Sequence, residues 1–513
     1  MQLFLILLLL AGITYLLVRR SASGLTSTPV WLLWLVVMTP AFTWSLWLLL
    51  MGEEQPIPIL LILIPFLVSS FLYFWLLQRG RQDQSTEVSS STQEATTKEP
   101  LKGSPFEQES EKTKNSTRIL TQTEEEQLKR CFPWEVYYLQ SVDYGGQAVL
   151  CKGKLRTVPE KAYHKIRNNI ENQFGDRFLI LFQESFQGEP FFALVPNSRQ
   201  QQKERTQNDE LNKPWKERTQ NDELNKPWLA LTLALITLFT TTVVGTSLAG
   251  ISPEQFQSNP SLLRNGLPYA LTLMWILGCH EFSHYCTAIY YKIRATLPYF
   301  IPVPFFLGTF GAFIQMRSPV PHRKALFDVA IAGPLGGFIM TVPLLIWGLS
   351  LSEIVPLSEE SGLLRIDSLN PRSSLLMTLF SKIALGSELG NDAAINLHPI
   401  AIAAYIGLIV TALNLMPVGQ LDGGHIVHAM YGQRTAVIIG QVSRLLMLIL
   451  AFNEPSFLIW AIILFFMPII DEPALNDVSE LDNVRDFVGL LTLTLLVTIL
   501  LPLPETLTNI LNV

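Results

Sequence analysis

Apolar residues in this 513-residue chain fall into long blocks instead of alternating with polar ones. A helix needs about 20 apolar residues to cross a bilayer, and several blocks reach that length. The blocks cover residues 2–18, 29–51, 56–77, 228–250, 266–291, 325–351, 398–418, 433–452, 456–471 and 486–503. This pattern predicts an α-helical polytopic membrane protein of about ten spans, in which residues 1–78 form an N-terminal group and residues 229–513 a second one.

Polar sequence separates the two groups of blocks. Residues 79–125 are rich in Ser, Thr, Gln and Glu, a composition that predicts a disordered linker. Residues 126–198 change to strand and helix periodicity and predict a small soluble α+β domain. Its predicted strands are Glu135–Tyr144, Gln147–Leu155, Arg177–Phe182 and Pro190–Val195, and its predicted helix is Glu160–Phe174.

Residues 199–228 are a second linker that contains a repeat. The segment Lys203–Trp215 recurs unchanged at Lys216–Trp228. The repeated sequence is polar and has no core-forming pattern. We interpret it as a tandem duplication in a segment that tolerates insertion, because lengthening a loop costs little free energy.

Charge narrows the functional class and suggests an orientation. Charged residues make up only 16% of the chain, against about 25% in typical soluble domains. The net charge of −6 offers no basic surface for nucleic acid. Under the positive-inside rule, basic pairs such as Arg19–Arg20 and Arg323–Lys324 place the 126–198 domain in the cytoplasm. No transit peptide is visible, which favours a bacterial plasma or thylakoid membrane over an imported organellar protein.

One apolar block carries the sequence Gly-Cys-His-Glu-Phe-Ser-His at 278–284. On a helix, His280 and His284 stand at i and i+4 with Glu281 beside them, the arrangement that binds zinc and supplies a general base. Ionisable groups at membrane depth cost about 2.5–3.5 kcal/mol each, and a bound metal ion would offset that cost. We interpret the flanking Cys279 and Cys286 as small buried fillers.

A second polar motif, Asn-Leu-Met-Pro-Val-Gly-Gln-Leu-Asp-Gly-Gly, spans residues 414–424. Its Pro and Gly residues would break the helix that begins near His398, and broken backbone at membrane depth faces protein or a water-filled cavity. Such a break can present Asp422 as a third ligand, at the depth of the two histidines under the predicted topology. His425 and His428 follow closely; we interpret them as neighbouring groups, not as ligands.

The ligand set predicts the chemistry. Two histidines and one carboxylate leave zinc an open position for water, as in catalytic sites, and we expect one zinc ion per chain. Glu281 is predicted to take the proton of the zinc-bound water and pass it to the leaving amine. The Asn414 amide could stabilise the oxyanion that forms on the attacked carbonyl.

Taken together, these motifs resemble the site-2 protease family of intramembrane zinc metalloproteases. The residues that carry the resemblance are His280-Glu281-x-x-His284, Asn414-x-x-Pro417 and Leu421-Asp422-Gly423. Further stretches resemble the cyanobacterial and chloroplast branch, which includes the plant proteases named for ethylene-dependent gravitropism-deficient and yellow-green phenotypes. They are Pro298–Pro304, Gly308–Phe313, Arg323–Asp328, Ala332–Gly337 and His398–Pro399. The resemblance covers residues 126–198 and 228–503.

The resemblance implies His280, His284 and Asp422 as zinc ligands and Glu281 as the base. It implies regulated intramembrane proteolysis, in which a transmembrane segment of a membrane protein is cleaved near the cytoplasmic side. It also implies that Gly308, Thr309, Phe310 and Gly311 contact an unwound substrate, which would add to them as a strand.

Two observations qualify the resemblance. Many family members carry asparagine shortly after the Gly-Pro that corresponds to Gly333-Pro334, where this chain has Gly336-Gly337-Phe338. Two other functions also fit a membrane protein with buried His and Asp residues. A metal transporter would require several sites along a path and repeated spans, and a catalytically silent scaffold would show a broken metal motif; the chain has neither feature.

Overall fold

The structure is a computed structural model. It describes residues 29–51, 120–145, 148–185, 188–197, 227–251, 258–304, 307–356, 374–386, 393–453, 457–468 and 470–502, with single positions at 255 and among 15–76. The chain divides into two compact units, Met1–Thr113 and Lys114–Val513. The described part of the first unit contains helix α1 (Val30–Met51), which coincides with the predicted block 29–51. The predicted blocks 2–18 and 56–77, most of the 79–125 linker and the tandem repeat lie outside the continuous described ranges.

The second unit begins with a small α+β fold, residues 120–197, here called the sheet domain. Its elements are α2 (Gln122–Arg130), β1 (Tyr137–Gly145), β2 (Ala148–Leu155), α3 (Pro159–Phe174), β3 (Phe178–Glu184) and β4 (Pro190–Pro196). The strands form one antiparallel sheet in the order β1-β2-β4-β3. The predicted strands and helix of this region are therefore confirmed.

The start of the sheet domain corrects the predicted linker boundary. Leu120 is buried in the domain core, although it falls inside the predicted linker. Thr121 and Glu124 form a reciprocal capping box at the first turn of α2, which satisfies backbone groups at the helix start. Residues 120–125 are thus folded. Their polar composition reflects a capped surface helix whose apolar contacts are Leu120 and Leu128.

The rest of the second unit is mostly helical. Its helices are α4 (Pro227–Leu248), α5 (Leu267–Tyr290), α6 (Arg323–Ser350), α7 (Leu375–Leu385), α8 (Pro399–Leu415), α9 (Asp422–Tyr431), α10 (Gln433–Asn453), α11 (Leu458–Phe466) and α12 (Asn483–Leu500). Two antiparallel strand pairs accompany them: the hairpin of β5 (Tyr299–Pro302) with β6 (Thr309–Phe313), and β7 (Glu353–Pro356) with β8 (Ala393–Asn396), between which α7 lies in sequence. The apolar-block pattern did not predict α7 or either strand pair.

Four of the described helices are long and apolar enough to cross a membrane: α4, α6, the Gln433–Ala451 part of α10, and α12. Helix α5 has 24 residues but is not among the four, because His280, Glu281 and His284 interrupt its apolar sequence. The chain is thus a mostly helical membrane protein. The number of spans and the side of the membrane stay predictions.

Helices α5, α6 and α8 pack closely because small residues lie where they cross. A Cβ on Gly348 of α6 would lie 2.6 Å from Cα of Ala401 on α8, and one on Gly407 of α8 would lie 2.9 Å from Ile276 on α5. Such close backbone approach is typical of membrane helices, whose association depends on packing rather than on burial from water. It brings the histidines of α5 close to the end of α8, where Asn414 lies 3.2 Å from His280.

Charged residues in or near the apolar helices have specific partners. Asp328 on α6 forms two hydrogen bonds with Arg485 on α12, from Nε at 2.8 Å and from Nη2 at 2.7 Å, and it accepts a third from the Tyr291 hydroxyl. Arg444 on α10 donates instead to the main-chain oxygens of Met467 and Pro468. Asp328 and Arg444 therefore have separate partners.

Candidate metal centre

The two histidines of the motif lie on one face of α5, as the i, i+4 spacing requires. His280 and His284 are 4% and 7% exposed, and their Nε2 atoms are 3.2 Å apart. The Nδ1 atom of His284 is 2.7 Å from the main-chain oxygen of Val329 on α6. That contact places the ring proton on Nδ1 and leaves Nε2 free to accept a metal ion, as is usual for histidine ligands.

Asp422 reaches the histidines because the chain breaks between α8 and α9. Helix α8 ends at Leu415 and α9 begins at Asp422 itself. The first turn of α9 requires glycine because it packs against the intervening turn: a Cβ on Gly423 would lie 2.6 Å from the Met416 oxygen, and one on Gly424 would lie 2.8 Å from the Val418 carbonyl carbon. Asp422 thereby occupies the first turn of a helix, where the positive end of the helix dipole favours a carboxylate.

The three side chains fit a metal ion by distance. Oδ2 of Asp422 lies 3.4 Å from Nε2 of His280 and 3.3 Å from Nε2 of His284. Tetrahedral zinc with bonds of about 2.0–2.2 Å holds its ligand atoms about 3.3–3.6 Å apart, and the three separations of 3.2, 3.3 and 3.4 Å agree with that spacing to within about 0.1 Å. Among the described residues, one group of three or more His, Cys, Asp or Glu side chains could share a metal ion: His280, His284 and Asp422.

Glu281 and Asn414 lie beside these three side chains. Oε1 of Glu281 is 4.0 Å from Nε2 of His280. Nδ2 of Asn414 is 3.2 Å from Nε2 of His280. Both residues line a cavity of about 280 Å³ together with the three candidate ligands. The cavity can hold several water molecules or a short stretch of peptide, given that water takes about 30 Å³ in the liquid.

Three glycines of α6 form the surface against which the histidines pack; we call Gly333, Gly336 and Gly337 the glycine face. A Cβ on Gly333 would lie 2.5 Å from Cε1 of His284 and closer still to Nε2. One on Gly336 would lie 2.9 Å from Cβ of Ser283, and one on Gly337 would lie 3.2 Å from Cβ of His280. The space that a side chain would fill is therefore occupied by the metal-binding face of α5. Gly336 and Gly337, which stand where many members of the family carry asparagine, are part of this packing.

The predicted substrate-binding residues lie at the start of β6 and divide into two kinds. Gly308 accepts a hydrogen bond from Thr240 of α4 (2.7 Å), and the Thr309 hydroxyl donates to the Ile301 oxygen of β5 (2.8 Å). These two residues anchor the hairpin. Phe310 is 65% exposed, and nothing lies within 4 Å of the Cβ position of Gly311. The cavity lining begins one residue later, at Ala312 and Phe313.

The remaining candidates from the sequence lie outside the three-residue group. His428 is fully buried and lies 2.7 Å from Asp471 and 3.0 Å from Asp477. Burial would lower the pKa of His428, but the two carboxylates raise it to about 9. His425 lines the cavity and forms an ion-pair contact of 2.8 Å with Asp471.

Neither of the flanking cysteines is a buried filler. Cys279 is only partly buried and Cys286 is exposed. The histidine face of α5 packs against α6. The two cysteines lie on other faces of the same helix and are therefore less buried. The interpretation of these two residues as buried fillers is therefore wrong.

Comparison with known families matches the two parts of the second unit separately. The profile of peptidase family M50 matches residues 268–451, which contain His280, Glu281, His284, Asn414 and Asp422. The profile of the EGY3 middle domain matches residues 126–203, which contain most of the sheet domain. No solved structure matches the chain.

Plant proteins are similar to the chain over much of its length. A protein of Oryza sativa subsp. indica, named probable zinc metalloprotease EGY2, chloroplastic, is 30% identical over 407 residues, covering 78% of this chain and 70% of its own. The Arabidopsis thaliana protein of the same name is 31% identical over 395 residues, covering 76% and 66%. The protein named probable zinc metalloprotease EGY1, chloroplastic, of Arabidopsis thaliana is 34% identical over 237 residues, covering 46% and 43%.

Proposed function

This chain belongs to peptidase family M50 and is a zinc metalloprotease, and from that premise we propose that it cleaves a transmembrane segment of a membrane protein. The observation that carries the proposal is the convergence of His280, His284 and Asp422 beside Glu281, in a cavity formed between apolar helices. The lipid bilayer and the substrate helix are the implied partners. One zinc ion per chain, held by the three side chains, is the proposed cofactor.

Glu281 acts as the general base in this proposal. Bound zinc supplies Lewis-acid polarisation of the carbonyl and of water. Glu281 accepts a proton from the attacking water at its carboxylate, holds it, and donates it to the nitrogen of the leaving amine. Glu281 lines the cavity and its Oε1 lies 4.0 Å from Nε2 of His280, so it is placed for both transfers.

Asn414 stabilises the developing charge on the attacked carbonyl oxygen. Its Nδ2 group donates hydrogen bonds and lies beside His280 at the cavity wall. A fixed donor aimed at an oxyanion in a site with little water is a strong source of rate enhancement. The same amide cannot act as a proton donor in acid-base catalysis, so its contribution is electrostatic.

Strand β6 holds the substrate in an extended form. A transmembrane helix must unwind before hydrolysis, because its amides are hydrogen-bonded internally. Strand β6 pairs with β5 along one edge, and its last residues line the cavity. A substrate strand that paired with the other edge of β6 would therefore run beside Glu281. Phe310 and Gly311 contact the substrate, whereas Gly308 and Thr309 hold the hairpin against α4 and β5.

The choice of variant matters for testing this strand role. A Cβ on Gly308 would lie 2.5 Å from Cα of Thr241, so a Gly308 substitution would disturb α4 packing. Phe310→Ala removes an exposed ring without that effect. We expect Phe310→Ala to raise KM for a transmembrane substrate and keep zinc, while Ile339→Ala, a control at an exposed position of α6, changes neither. Unchanged KM in Phe310→Ala would contradict the strand role.

The membrane orientation follows from charge and is part of the proposal. The basic residues at the start of α6 place the active site toward the cytoplasmic side. The host would be a bacterium with the protein in its plasma or thylakoid membrane. Labelling of a Lys292→Cys variant, whose position follows the end of α5 and is exposed, by a membrane-impermeant maleimide tests the side, with the unsubstituted protein as control: additional labelling only after the membrane is opened supports the assignment.

The decisive experiment compares the wild type with Glu281→Gln. Purified protein in detergent is given a model transmembrane substrate, and bound zinc is measured in both. Because Glu281 is not among the three ligands, Glu281→Gln should retain zinc while losing cleavage. Equal cleavage by both proteins would assign the activity to a contaminant. Absence of zinc from both would favour a catalytically silent scaffold, and zinc transport into vesicles would favour a transporter.

A further inference from the structure

A short segment between α11 and α12 joins the sheet domain to the metal-binding helices. We call residues Ala474–Val478 the docking strand. The Phe182 amide of β3 donates to the Leu475 oxygen at 2.7 Å, and the Asp477 amide donates back to the Phe182 oxygen at 2.9 Å. The pairing is parallel. The docking strand therefore adds one parallel β-bridge to the four-stranded sheet at its β3 edge.

The docking strand also pairs with the chain that leads into α6. The amides of Leu475 and Asn476 donate to the main-chain oxygens of Val320 and Pro321, at 2.9 and 3.1 Å. The side chains of Leu475 and Val478 are buried in the core of the sheet domain. Three segments far apart in sequence thus share one set of backbone hydrogen bonds, and the sheet edge that would otherwise be open is covered.

A buried histidine connects this assembly to the helix that carries Asp422. His428 lies on α9, six positions after Asp422, and it is 0% exposed. Its Nδ1 contacts Asp471 at 2.7 Å and its Nε2 contacts Asp477, on the docking strand, at 3.0 Å. Both ring nitrogens therefore face carboxylates, an arrangement that requires both to donate. Buried charged hydrogen bonds of this kind fix geometry strongly, because an unpaired partner would be costly.

Two further hydrogen bonds restrain the C-terminal end of α9. Nη2 of Arg323, the first residue of α6, donates to the His428 main-chain oxygen at 3.2 Å. Gln433, just after α9, donates to the Asp471 oxygen at 2.9 Å. Helix α9 has only ten residues, so a constraint at His428 also restricts its first residue, Asp422.

We propose that His428 is a positioning residue for the metal centre, and that through Asp477 it makes the placement of Asp422 depend on the docked sheet domain. The proposal rests on Asp422 being a zinc ligand, as proposed above. It gives the sheet domain a role in metal binding that its distance in sequence from the ligands does not suggest. Partners that orient a metal ligand typically contribute 10- to 100-fold to metal affinity.

The test measures zinc affinity in the inactive Glu281→Gln background, so that cleavage plays no part. Zinc is titrated against a chromophoric chelator for three variants. His428→Gln places a neutral amide of similar length at this position, with one donor atom in place of the two ring nitrogens that face the carboxylates, so its oxygen would face one of them. Asp477→Asn keeps the backbone pairing of the docking strand and removes the charge. Ser479→Ala is the matched control, since Ser479 bonds only to Asn476 among the described residues.

We expect His428→Gln and Asp477→Asn each to raise the zinc dissociation constant about 10- to 100-fold, and Ser479→Ala to leave it within about twofold. The thermal midpoint with and without zinc separates positioning from general stability. If His428 positions Asp422, the rise in midpoint caused by zinc shrinks in the two variants. An equal drop of both midpoints, with zinc affinity unchanged, would overturn the proposal.

A variant of the docking strand extends the test to the sheet domain. Leu475→Asp places a charge in the sheet-domain core and should detach the domain while leaving every side chain of the metal centre intact. Weakened zinc binding is the expected result. Detachment with unchanged zinc affinity, shown by new protease cleavage between residues 182 and 227, would overturn the dependence on the domain. A wild type that binds no zinc would refute the proposed function instead.

Discussion

Gly333 of α6 lies so close to His284 of α5 that the place of its missing side chain is filled by the imidazole ring. A Cβ there would be 2.5 Å from Cε1 of His284, and real Cβ atoms do not approach neighbours so closely in packed proteins. The same ring is held on its other side by the Val329 oxygen at 2.7 Å. Helix α6 thus sets the orientation of a ligand that it does not itself carry.

Gly333→Ala should therefore displace His284 and reduce zinc binding. The imidazole cannot move away without losing its contact with Val329, so we expect at least a tenfold loss of zinc affinity, the lower end of the range for partners that orient ligands. Zinc content after dialysis against a chelator measures the effect. Gly278→Ala on α5 is the control, because its Cβ would meet only Phe300 at an ordinary 3.6 Å. Equal zinc content in the two variants would contradict this account.

Asn414→Ala tests the electrostatic role proposed for this amide. Loss of one donor to a developing oxyanion typically lowers kcat by about 100- to 1,000-fold. Zinc binding should persist, since Asn414 is not one of the three residues that converge on the metal position. Steady-state kinetics on a transmembrane substrate would show the loss in kcat with KM nearly unchanged. If KM rose and kcat stayed constant, Asn414 would contribute to substrate binding instead.

The sequence predicted that His280, His284 and Asp422 would lie together, because the information for this is local; their role as zinc ligands stays a proposal. The i, i+4 histidines define a helix face, and the Pro and Gly residues after Asn414 define a break that exposes Asp422. The glycine face was harder to predict, because its function depends on which helix packs against α6. Glycine spacing on one helix shows that something can approach closely, but not what does. A run of three glycines within five positions beside a ligand helix is the signal that could have revealed it.

Contacts between segments distant in sequence likewise could not be predicted from the pattern of apolar and polar residues. Asp328 and Arg485 are separated by 157 positions, and nothing in either neighbourhood identifies the partner. From its sequence, the docking strand is a polar connection between two apolar blocks. In the structure, however, Leu475 is buried in the core of the sheet domain. Parallel pairing with β3 and with the residues before α6 requires knowledge of the tertiary fold. The same limit applies to hairpin β5–β6, whose apolar, proline-containing sequence shows no clear strand alternation.

The ion pair between α6 and α12 should stabilise the fold measurably. Asp328 and Arg485 share two hydrogen bonds, and their side chains are 23% and 30% exposed. A double-mutant cycle with Asp328→Asn and Arg485→Gln should give a coupling energy of about 1 kcal/mol, at the upper end for partly exposed pairs because the contact is bidentate. The free energy of unfolding in detergent provides the measurement. A cycle between Arg485 and Asp482, which is 42% exposed, should give less.

Stability of the sheet domain should fall above pH 9 because of a buried thiol. Burial raises the pKa of Cys151 to about 12, with small additional repulsion from Cys131 and nearby carboxylates. In the unfolded chain the same thiol ionises near its ordinary value of about 8.5. The folded thiol keeps its proton between these values and the unfolded one releases it. The stabilisation is therefore complete below about pH 8.5 and is lost as the pH rises toward 12.

The Cys151→Ala variant isolates this effect. Unfolding of the wild type, followed by the fluorescence of Trp134 in the sheet domain, should show a midpoint that declines between pH 8.5 and 10. Cys151→Ala should be less stable at pH 7, because it leaves a small void in the core, but its midpoint should decline less steeply with pH. Alkylation gives an independent measure: Cys151, which is 0% exposed, should react only on unfolding, whereas the exposed Cys286 reacts in the native protein. Rapid native alkylation of Cys151 would show that its thiol is neither buried nor protonated.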